Sequence, residues 1–555
     1  MGAANQQVGQ EQSVYSFHAF VFPFSWRYEN DENLIFEDQT DLSGIISRLQ
    51  KDKKWTRRAS WADINTLVQY NEVAYFYEFV RPVLYDTGKD STLQCHYYYN
   101  FSEDPVYYKI ELWDQSVYSL EVDDIVISFY DNGVGVMAFH LINREKSQSK
   151  PNDILKINFY GRRVYPPFLN TNLKEAGNQA FFDDNNWERG LDETINLSKE
   201  LAKSLRIESS SKMIAHDDFL SWTQNRSLDR PPKLIKDIFP NTLEGALNIK
   251  PVLDDRMYVI SWFGHKKILK EVKGVFPAEK TSQTQYQRNA WWYKYVFVDG
   301  QSKSVDNNLF QMETIDTSTY TRWTQSGTFY GMSRYSLVVL TGEMNIPFPT
   351  IFLTHTQTIY YKLALLCLVQ RAGLLRFSEE ITAISQLDRK RKNIGIRIGS
   401  LYKEYLRFIN KVYFREVTAQ EQGIEMYKMI QDRMSLPSQV LGLQQEMEEL
   451  HQYAMIVEEE RRNDKLDILS YIGAFFVVPS FIGTYYGIGG FEVAEYWYWM
   501  AGFSVASALL AYGAIRARGI NRVLWLLLLI VLMIAVIFVF PQIFGSEIIN
   551  IYNEQ

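Results

Sequence analysis

Three short segments combine arginine with aromatic residues, a combination that suits the binding of a phosphorylated ligand. The segments are Y-G-R-R-V-Y-P-P-F at 160–168, R-N-A-W-W-Y-K-Y at 288–295 and T-R-W-T-Q-S-G-T-F-Y-G-M-S-R-Y-S at 321–336. A guanidinium can hold phosphate through two parallel hydrogen bonds, and an aromatic ring can stack on a base or a cation. The candidate ligand residues are Arg162, Arg163, Arg288, Trp291, Arg322, Trp323, Tyr330 and Arg334. Ordinary core packing is the alternative, since 15% of the residues are aromatic.

The chain lacks the short motifs that mark common catalytic sites. It contains no P-loop, no H-E-x-x-H and no G-x-S-x-G, and G-V-G-V at 133–136 lies inside a predicted hairpin, where no helix follows it. The two cysteines are far apart in sequence and the seven histidines are scattered singly. We therefore expect a protein that is not an enzyme, and the pattern identifies no metal ligands.

Length and charge place these segments in a protein of several domains. A chain of 555 residues exceeds the usual size of one hydrophobic core. The net charge of -7 argues against a dedicated nucleic-acid binder, whose surface would be strongly basic. Residues 1–13 carry neither the basic nor the apolar region of a secretory signal. We expect the N-terminal part to be cytoplasmic and to bind no nucleic acid directly.

Residues 1–350 predict the α/β sandwich domain that would carry the ligand site. Aromatic and β-branched content predicts strands at 14–22, 122–130, 134–142, 257–263, 291–298 and 335–341, and helices are predicted near 191–206 and 356–387. D-N-G at 131–133 predicts a hairpin turn, because Asn-Gly supplies the positive φ that such turns need. We expect this domain to sense a ligand.

Beyond the α/β domain, the sequence predicts a stalk helix followed by membrane helices. S-L-P-S at 435–438 predicts a helix start, and one helix could run from Pro437 to Thr484. Eighteen consecutive apolar residues at 523–540 predict a span of the membrane. We expect a helical region with the stalk at 351–465, a transmembrane domain at 466–545 and an outer tail at 546–555. The transmembrane domain would have spans at about 468–486, 497–515 and 523–541.

Charged residues beside these spans predict their orientation. Basic residues flank the first span on one side and separate the second span from the third, whereas the loop at 487–496 carries only acidic charge. Lys and Arg are retained on the cytoplasmic side of a membrane. This pattern predicts a multi-pass integral protein of the inner membrane.

The stalk helix carries a short apolar seam with steps of three and four residues. Its members are Val440, Leu443, Met447, Leu450, Ala454 and Val457. Such a seam packs either against parallel copies of the same helix or against the helix's own domain. The spacing leaves both interpretations open.

The segment N-D-K-L-D-I-L-S-Y-I-G-A-F-F-V-V-P-S-F-I-G-T-Y-Y-G-I-G-G, residues 463–490, resembles the inner helix of CorA-type magnesium channels. In that family an asparagine opens the segment and a Tyr-Gly-Met-Asn signature closes it. Asn463, Tyr486 and Gly487 match in register, whereas Ile488 and Gly489 stand where the family has Met and Asn. The replaced asparagine puts selectivity for magnesium in doubt.

The resemblance implies a homopentamer in a lipid bilayer, in which five copies of this helix line a pore below a large α/β domain. On helical spacing the implied pore-lining residues are Asn463, Leu466, Leu469, Gly473, Val477, Ser480 and Thr484. The implied filter and outer mouth comprise Tyr486, Gly487, Ile488, Gly489, Glu492 and Glu495. Mg²⁺ would be a permeant or regulatory ion.

The resemblance implies a CorA-like cation channel or transporter that is gated by its cytoplasmic domain. One version is similar to the effectors associated with type III CRISPR systems, which a nucleotide second messenger, an S-adenosylmethionine-AMP conjugate, opens in antiviral defence. Another version is a housekeeping transporter of magnesium or other divalent cations. A receptor that is anchored to the membrane but does not conduct is the alternative from a different class.

Overall fold

The computed structural model describes most of the chain between residues 13 and 487. The described residues are 13–29, 40–57, 64, 66–86, 93–102, 105–164, 202–218, 231–253, 256–274, 285–300, 302–342, 347–385, 394–487 and scattered single positions between 502 and 534. They divide into two compact units, Met1–Glu449 and Leu450–Gln555. The first unit holds a mixed α/β sheet domain, and a helical region follows the sheet along the chain.

The described strands form one mixed sheet. Its order is β11-β12-β13-β10-β1-β6-β5-β4-β7-β8; in addition, β3 pairs with β5 and β2 pairs with β3, and β9 pairs with β1. The strands are β1 Ser16–Tyr28, β2 Trp55–Arg57, β3 Gln94–Tyr99, β4 Val106–Glu111, β5 Val117–Tyr130, β6 Val134–Asn143, β7 Ser204–Ser209, β8 Met213–Asp218, β9 Leu247–Pro251, β10 Tyr258–Gly264, β11 Thr319–Tyr320, β12 Phe329–Ser333 and β13 Ser336–Thr341. Neighbouring described strands run antiparallel except for β10 and β13, which are parallel.

Helices lie between the strands and beyond them. They are α1 Leu42–Leu49, α2 Leu67–Ala74, α3 Arg81–Leu84, α4 Pro151–Gly161, α5 Lys233–Ile238, α6 Lys266–Lys273, α7 Gln285–Arg288, α8 Ala290–Phe297, α9 Asn308–Ser318, α10 Pro347–Gln357, α11 Ile359–Ser385, α12 Ile394–Lys411, α13 Glu421–Arg433 and α14 Leu436–Gly487. The sheet domain with a following helical region agrees with the predicted fold class at this level of detail.

Strand β1 lies at the centre of the sheet and is buried on both faces. Its apolar run is nearly continuous, as expected for a strand that is covered on both sides. On one face, Phe20 and Phe24 join the main hydrophobic core and contact Tyr108 and Phe129. On the other face, Phe17 contacts His140, whose ring packs edge-on against α11. Helix α11 therefore closes the second face of the sheet.

Most predicted strands are confirmed, but two assignments are wrong. The segments at 14–22, 122–130, 134–142, 257–263 and 335–341 fall in β1, β5, β6, β10 and β13. Residues 291–298, predicted as a strand, form α8, which ends at Phe297. The predicted helix at 191–206 runs into β7, and its residues 191–201 lie outside the described part of the chain.

Helix α8 forms despite its aromatic composition because its start is capped and its sides are buried. The Asn289 side chain accepts a hydrogen bond of 2.8 Å from the Trp292 amide, which satisfies one of the free donors at a helix start. The ring of Trp291 stacks on Tyr295 one turn later, and both are buried. Aromatic residues are common in strands mainly because their side chains pack well on a half-buried surface, and less because of a backbone preference. A buried helix therefore accommodates them equally well.

The prediction of a multi-pass integral protein of the inner membrane is wrong. Among the described residues, one helical run, Thr350–Ser385, is long and apolar enough to cross a membrane. Its apolar window is 83% buried inside the protein, because α11 covers β1 and β6. The predicted span at 468–486 has a described helical backbone, whereas the spans at 497–515 and 523–541 lie largely outside the described residues.

The predicted turn at 131–133 is confirmed and is held between two helices. Gly133 has a φ of +71° and joins β5 to β6. The Arg376 guanidinium of α11 donates a hydrogen bond to the Asn132 carbonyl oxygen. On the other side, Arg407 of α12 lies 3.9 Å from the Asp131 carboxylate. The turn therefore fixes the position of both helices against the sheet.

Gly133→Ala is expected to lower the free energy of unfolding by about 3 kcal/mol. A Cβ at this position would lie 2.5 Å from Cζ of the buried Arg376, and the positive φ is strained for alanine. Gly245→Ala is the matched control, because Gly245 has a φ of +70° but nothing within 4 Å of its Cβ position. The control should lose only the backbone part, about 1 kcal/mol. If urea denaturation gave equal losses in the free energy of unfolding for the two variants, the close packing of Arg376 against the turn would be contradicted.

Asp131 makes stability depend on pH. Burial raises the pKa of Asp131 from 3.8 to about 7, Arg407 opposes this shift, and Glu404 adds to it. The folded protein thus binds this proton more tightly than the unfolded chain does, so the contribution of Asp131 to stability falls as the pH rises from about 4 to about 7.

Asp131→Asn is expected to leave stability near pH 4 unchanged and to raise it near pH 8 by roughly 2 to 4 kcal/mol. Urea denaturation of wild type and variant at a series of pH values measures the difference, in which the other titrating groups cancel. Asp432→Asn, at an exposed position of α13, is the control. If the free energies of unfolding of wild type and Asp131→Asn differed by the same amount at all pH values, Asp131 would not cause the expected pH dependence.

Helix α14 is continuous over 52 residues, Leu436–Gly487, as the sequence predicts. It begins directly after Ser435, which has a φ of +58°, and Pro437 occupies its first turn. Of the predicted seam, Leu443, Met447 and Ala454 are buried within the single chain. The early part of the seam therefore packs within its own chain, which agrees with the second of the two interpretations.

Candidate functional site

Two arginine side chains pack against Tyr335, which lies in the turn between β12 and β13. Tyr335 lies between two guanidinium groups: Cζ of Arg256 is 5.1 Å and Cζ of Arg371 is 5.0 Å from the centroid of its ring. Arg371 Nη1 also donates a hydrogen bond of 2.9 Å to the carbonyl oxygen of Arg334. Cations within about 6 Å of an aromatic face are attracted by its quadrupole. Three different elements thus meet at this ring.

Arg162 and Arg163 complete the group from the end of α4. Arg163 forms an isolated β-bridge with Arg256, and its guanidinium lies 4.6 Å from the Phe159 ring centroid. Arg162 Nη2 donates to the carbonyl oxygen of Val298 at 3.0 Å. Both residues are buried. We call Arg162, Arg163, Arg256, Arg334 and Arg371, together with Tyr335, the arginine cluster.

The arginine cluster has the chemistry of an anion site. Each guanidinium is planar and can hold two oxygens of one phosphate. Arg371 is only 4% exposed, and burial lowers the pKa of its guanidinium, a shift to which the charge of Arg334 adds. Arg334, in contrast, is exposed at the turn. An anion that approached the cluster from solvent would meet Arg334 first.

Two of the other predicted ligand residues, Arg322 and Trp323, lie in the segment after β11 and contact α13. Arg322 pairs with Glu421 and Glu425 at 2.9 and 2.8 Å, and Trp323 Nε1 donates to Gln422 at 3.1 Å. A phosphate would have to displace two carboxylates from Arg322. These contacts instead attach the segment after β11 to α13.

Tyr330, Trp291 and Arg288 also lie outside the arginine cluster. The Tyr330 ring is buried against Tyr320 and Tyr360. Trp291 donates its indole N–H to the Pro151 carbonyl oxygen at 3.0 Å. Arg288 ends α7 at an exposed position. The structure thus brings together Arg162, Arg163 and Arg334, three of the eight predicted ligand residues.

Sequence reasoning missed Arg256, Tyr335 and Arg371. Tyr335 lies within the third segment of arginines and aromatics, directly after Arg334. Arg371 carries a weaker signal, since it is a charged residue within the apolar run of α11. Arg256 precedes β10 without an aromatic neighbour in sequence, and only its β-bridge with Arg163 shows its place in the cluster.

The predicted pore residues lie on α14 as far as they are described. Asn463, Leu466, Leu469 and Gly473 are exposed in the single chain, with Leu466 52% and Leu469 62% exposed. The side chains of Val477, Ser480, Thr484, Tyr486 and Gly487 and all of Ile488, Gly489, Glu492 and Glu495 lie outside the described residues.

The described residues contain no group of three or more His, Cys, Asp or Glu side chains that could hold a metal ion. Regulatory binding of Mg²⁺ therefore stays a prediction. No family model, no curated protein and no solved structure matches this chain.

Proposed function

We propose that the chain is a subunit of a homo-oligomeric, CorA-like cation channel whose sheet domain responds to a nucleotide-like ligand. The observation that carries the proposal is the single helix α14, which leaves the N-terminal unit and continues through the CorA-like segment to Gly487. The proposal needs one crossing helix from each copy and does not depend on the multi-pass topology.

Exposed apolar residues in the C-terminal unit support an assembly in a bilayer. The described examples more than half exposed include Met455, Ile456, Leu466, Leu469, Leu509 and Val531. Apolar surface of this extent marks contact with lipid or with other protein chains. Leu466 and Leu469 lie on one side of α14, where facing copies would form an apolar constriction.

The arginine cluster supports the ligand-responsive part of the proposal. It joins α11 to the β12–β13 turn through the contact of Arg371 with Arg334 and Tyr335. Helix α11 packs against α12 and α13, and α14 follows α13 after two residues. A phosphorylated ligand that binds Arg371 and moves its side chain would therefore displace α11 and, through it, α12 and α13, which precede α14.

The experiment is cation flux from liposomes that contain the purified protein, with and without an S-adenosylmethionine-AMP conjugate. The proposal predicts flux that rises when the nucleotide is added on the side of the sheet domain. Flux that responds to magnesium alone would instead support the housekeeping transporter.

A receptor that does not conduct is the second candidate. It is favoured by the burial of Leu443 and Met447 within one chain, because a helix that packs on its own domain needs no parallel copies. Nucleotide binding without any flux would support this candidate.

A further inference from the structure

Arg371 is a buried cation in the inner part of the arginine cluster. Its Nη1 donates to the Arg334 carbonyl oxygen at 2.9 Å. Its other polar neighbours among the described residues are the side chains of Tyr335 and Tyr258, and the like charge of Arg334 acts against it. A buried charge is normally matched by an opposite charge, because its removal from water is costly. None of these described neighbours is a carboxylate, so they do not neutralise the charge of Arg371.

Tyr258 places a second polar group beside Arg371. It is fully buried at the start of β10, and the next residue, Val259, donates its backbone N–H to the Tyr335 carbonyl oxygen at 2.9 Å. Burial raises the pKa of Tyr258, and the charge of Arg371 opposes this shift, so the two side chains interact. Neither the Tyr258 hydroxyl nor Arg371 Nε forms a hydrogen bond with a described residue. A buried donor without an acceptor costs free energy, so these two donors indicate that an acceptor binds between them.

The charges around this pair favour an anion over a water molecule. Water would accept hydrogen bonds from both groups but would leave the charge of Arg371 uncompensated. Arg334 adds to the positive potential, and Cζ of Arg256 lies 5.1 Å from the Tyr335 ring centroid. One uncompensated guanidinium requires one negative charge, and a dianion would lose more hydration energy at a buried position. The favoured occupant is therefore small and monovalent.

We propose that a chloride ion binds between the Arg371 guanidinium and the Tyr258 hydroxyl and links α11 to the start of β10. The ion accepts hydrogen bonds from Arg371 Nε and Tyr258 Oη, which the described protein leaves without an acceptor. A phosphate group that binds Arg371 has to displace this ion, so chloride competes with the nucleotide. The competition rests on the proposed function, whereas the binding of chloride does not.

Thermal unfolding of the full chain in sodium chloride and in sodium gluconate, at equal ionic strength, tests the chloride site. Gluconate carries the same charge but is too large to fit between two buried side chains. We expect the melting temperature to rise by about 2 °C for each tenfold increase in chloride above its dissociation constant, and to stay constant when gluconate replaces it. Equal melting temperatures in the two salts would overturn the proposal.

Tyr258→Phe removes the hydroxyl and keeps the ring. This variant should bind chloride about tenfold more weakly, and its melting temperature in gluconate should not fall, because it loses only an unpaired buried group. Tyr97→Phe is the matched control, since Tyr97 is also buried and its hydroxyl also forms no hydrogen bond with a described residue. The control should respond to chloride as the wild type does. An equal response to chloride in wild type and Tyr258→Phe would also overturn the proposal.

Calorimetric titration with the S-adenosylmethionine-AMP conjugate in the two salts separates this inference from the proposed function. Chloride should weaken the apparent affinity for the conjugate about tenfold relative to gluconate. If the conjugate bound in neither salt while chloride still raised the melting temperature, the proposed function would fail and the chloride site would stand. Equal affinity for the conjugate in both salts would overturn the competition at Arg371.

Discussion

Replacing both Leu466 and Leu469 with serine is expected to raise cation flux without ligand by about tenfold or more. The two leucines are 52% and 62% exposed in the single chain and are spaced to face the same side of α14. In an assembly they would form an apolar ring that empties of water and stops ions. Hydroxyl groups would keep the ring hydrated, so ions would pass in the resting state. Flux from liposomes that hold the purified variant measures the effect.

Leu441→Ser is the matched control for the double variant. Leu441 is 65% exposed on the same helix, but it lies near the start of α14 and outside the CorA-like segment. The control should conduct as the wild type does. Equal flux from wild type and double variant would contradict a pore at this position and would favour the receptor that does not conduct.

Arg371→Met is expected to weaken binding of an S-adenosylmethionine-AMP conjugate about 100-fold, which corresponds to about 2.7 kcal/mol. Methionine keeps the packing of the long side chain in α11 but removes the guanidinium that lies 5.0 Å from the Tyr335 ring centroid. In the proposed site the lost group would supply two hydrogen bonds to phosphate, and its contact with the ring would also be lost. Calorimetric titration measures the loss.

Two further variants separate binding from folding. Arg334→Gln changes an exposed residue of the same cluster and should weaken binding about tenfold with an unchanged melting temperature. Arg322→Gln removes an arginine that pairs with Glu421 and Glu425, and it should leave nucleotide affinity unchanged. If Arg322→Gln abolished binding and Arg334→Gln did not, the ligand site would lie at Arg322, in the segment after β11, and not at the arginine cluster.

Local sequence patterns predicted those strands and turns that depend on residues close to one another in the chain. Aromatic and β-branched content predicted β1, β5 and β6, and Asn-Gly predicted the turn with its positive φ. The same reasoning failed for α8, because aromatic residues favour any well-packed surface and the cap at Asn289 was not recognised. The content of aromatic and β-branched residues does not distinguish a buried helix from a buried strand.

The candidate site was predicted only in part because it is assembled from distant segments. Arg162, Arg163 and Arg334 stand out beside aromatic residues in the sequence. Their grouping depends on the crossover that places β10 parallel to β13, which no local pattern shows. Hydropathy alone also does not distinguish a core helix from a membrane span, as the long apolar run in α11 shows.

Recording from single assemblies in a planar bilayer tests the central claim most directly. We expect unitary steps of cation current that become more frequent when the S-adenosylmethionine-AMP conjugate is added on the side of the sheet domain. The steps should also occur without the conjugate in the Leu466 and Leu469 double variant. A bilayer that contains the protein, binds the nucleotide and shows no unitary current would contradict the account.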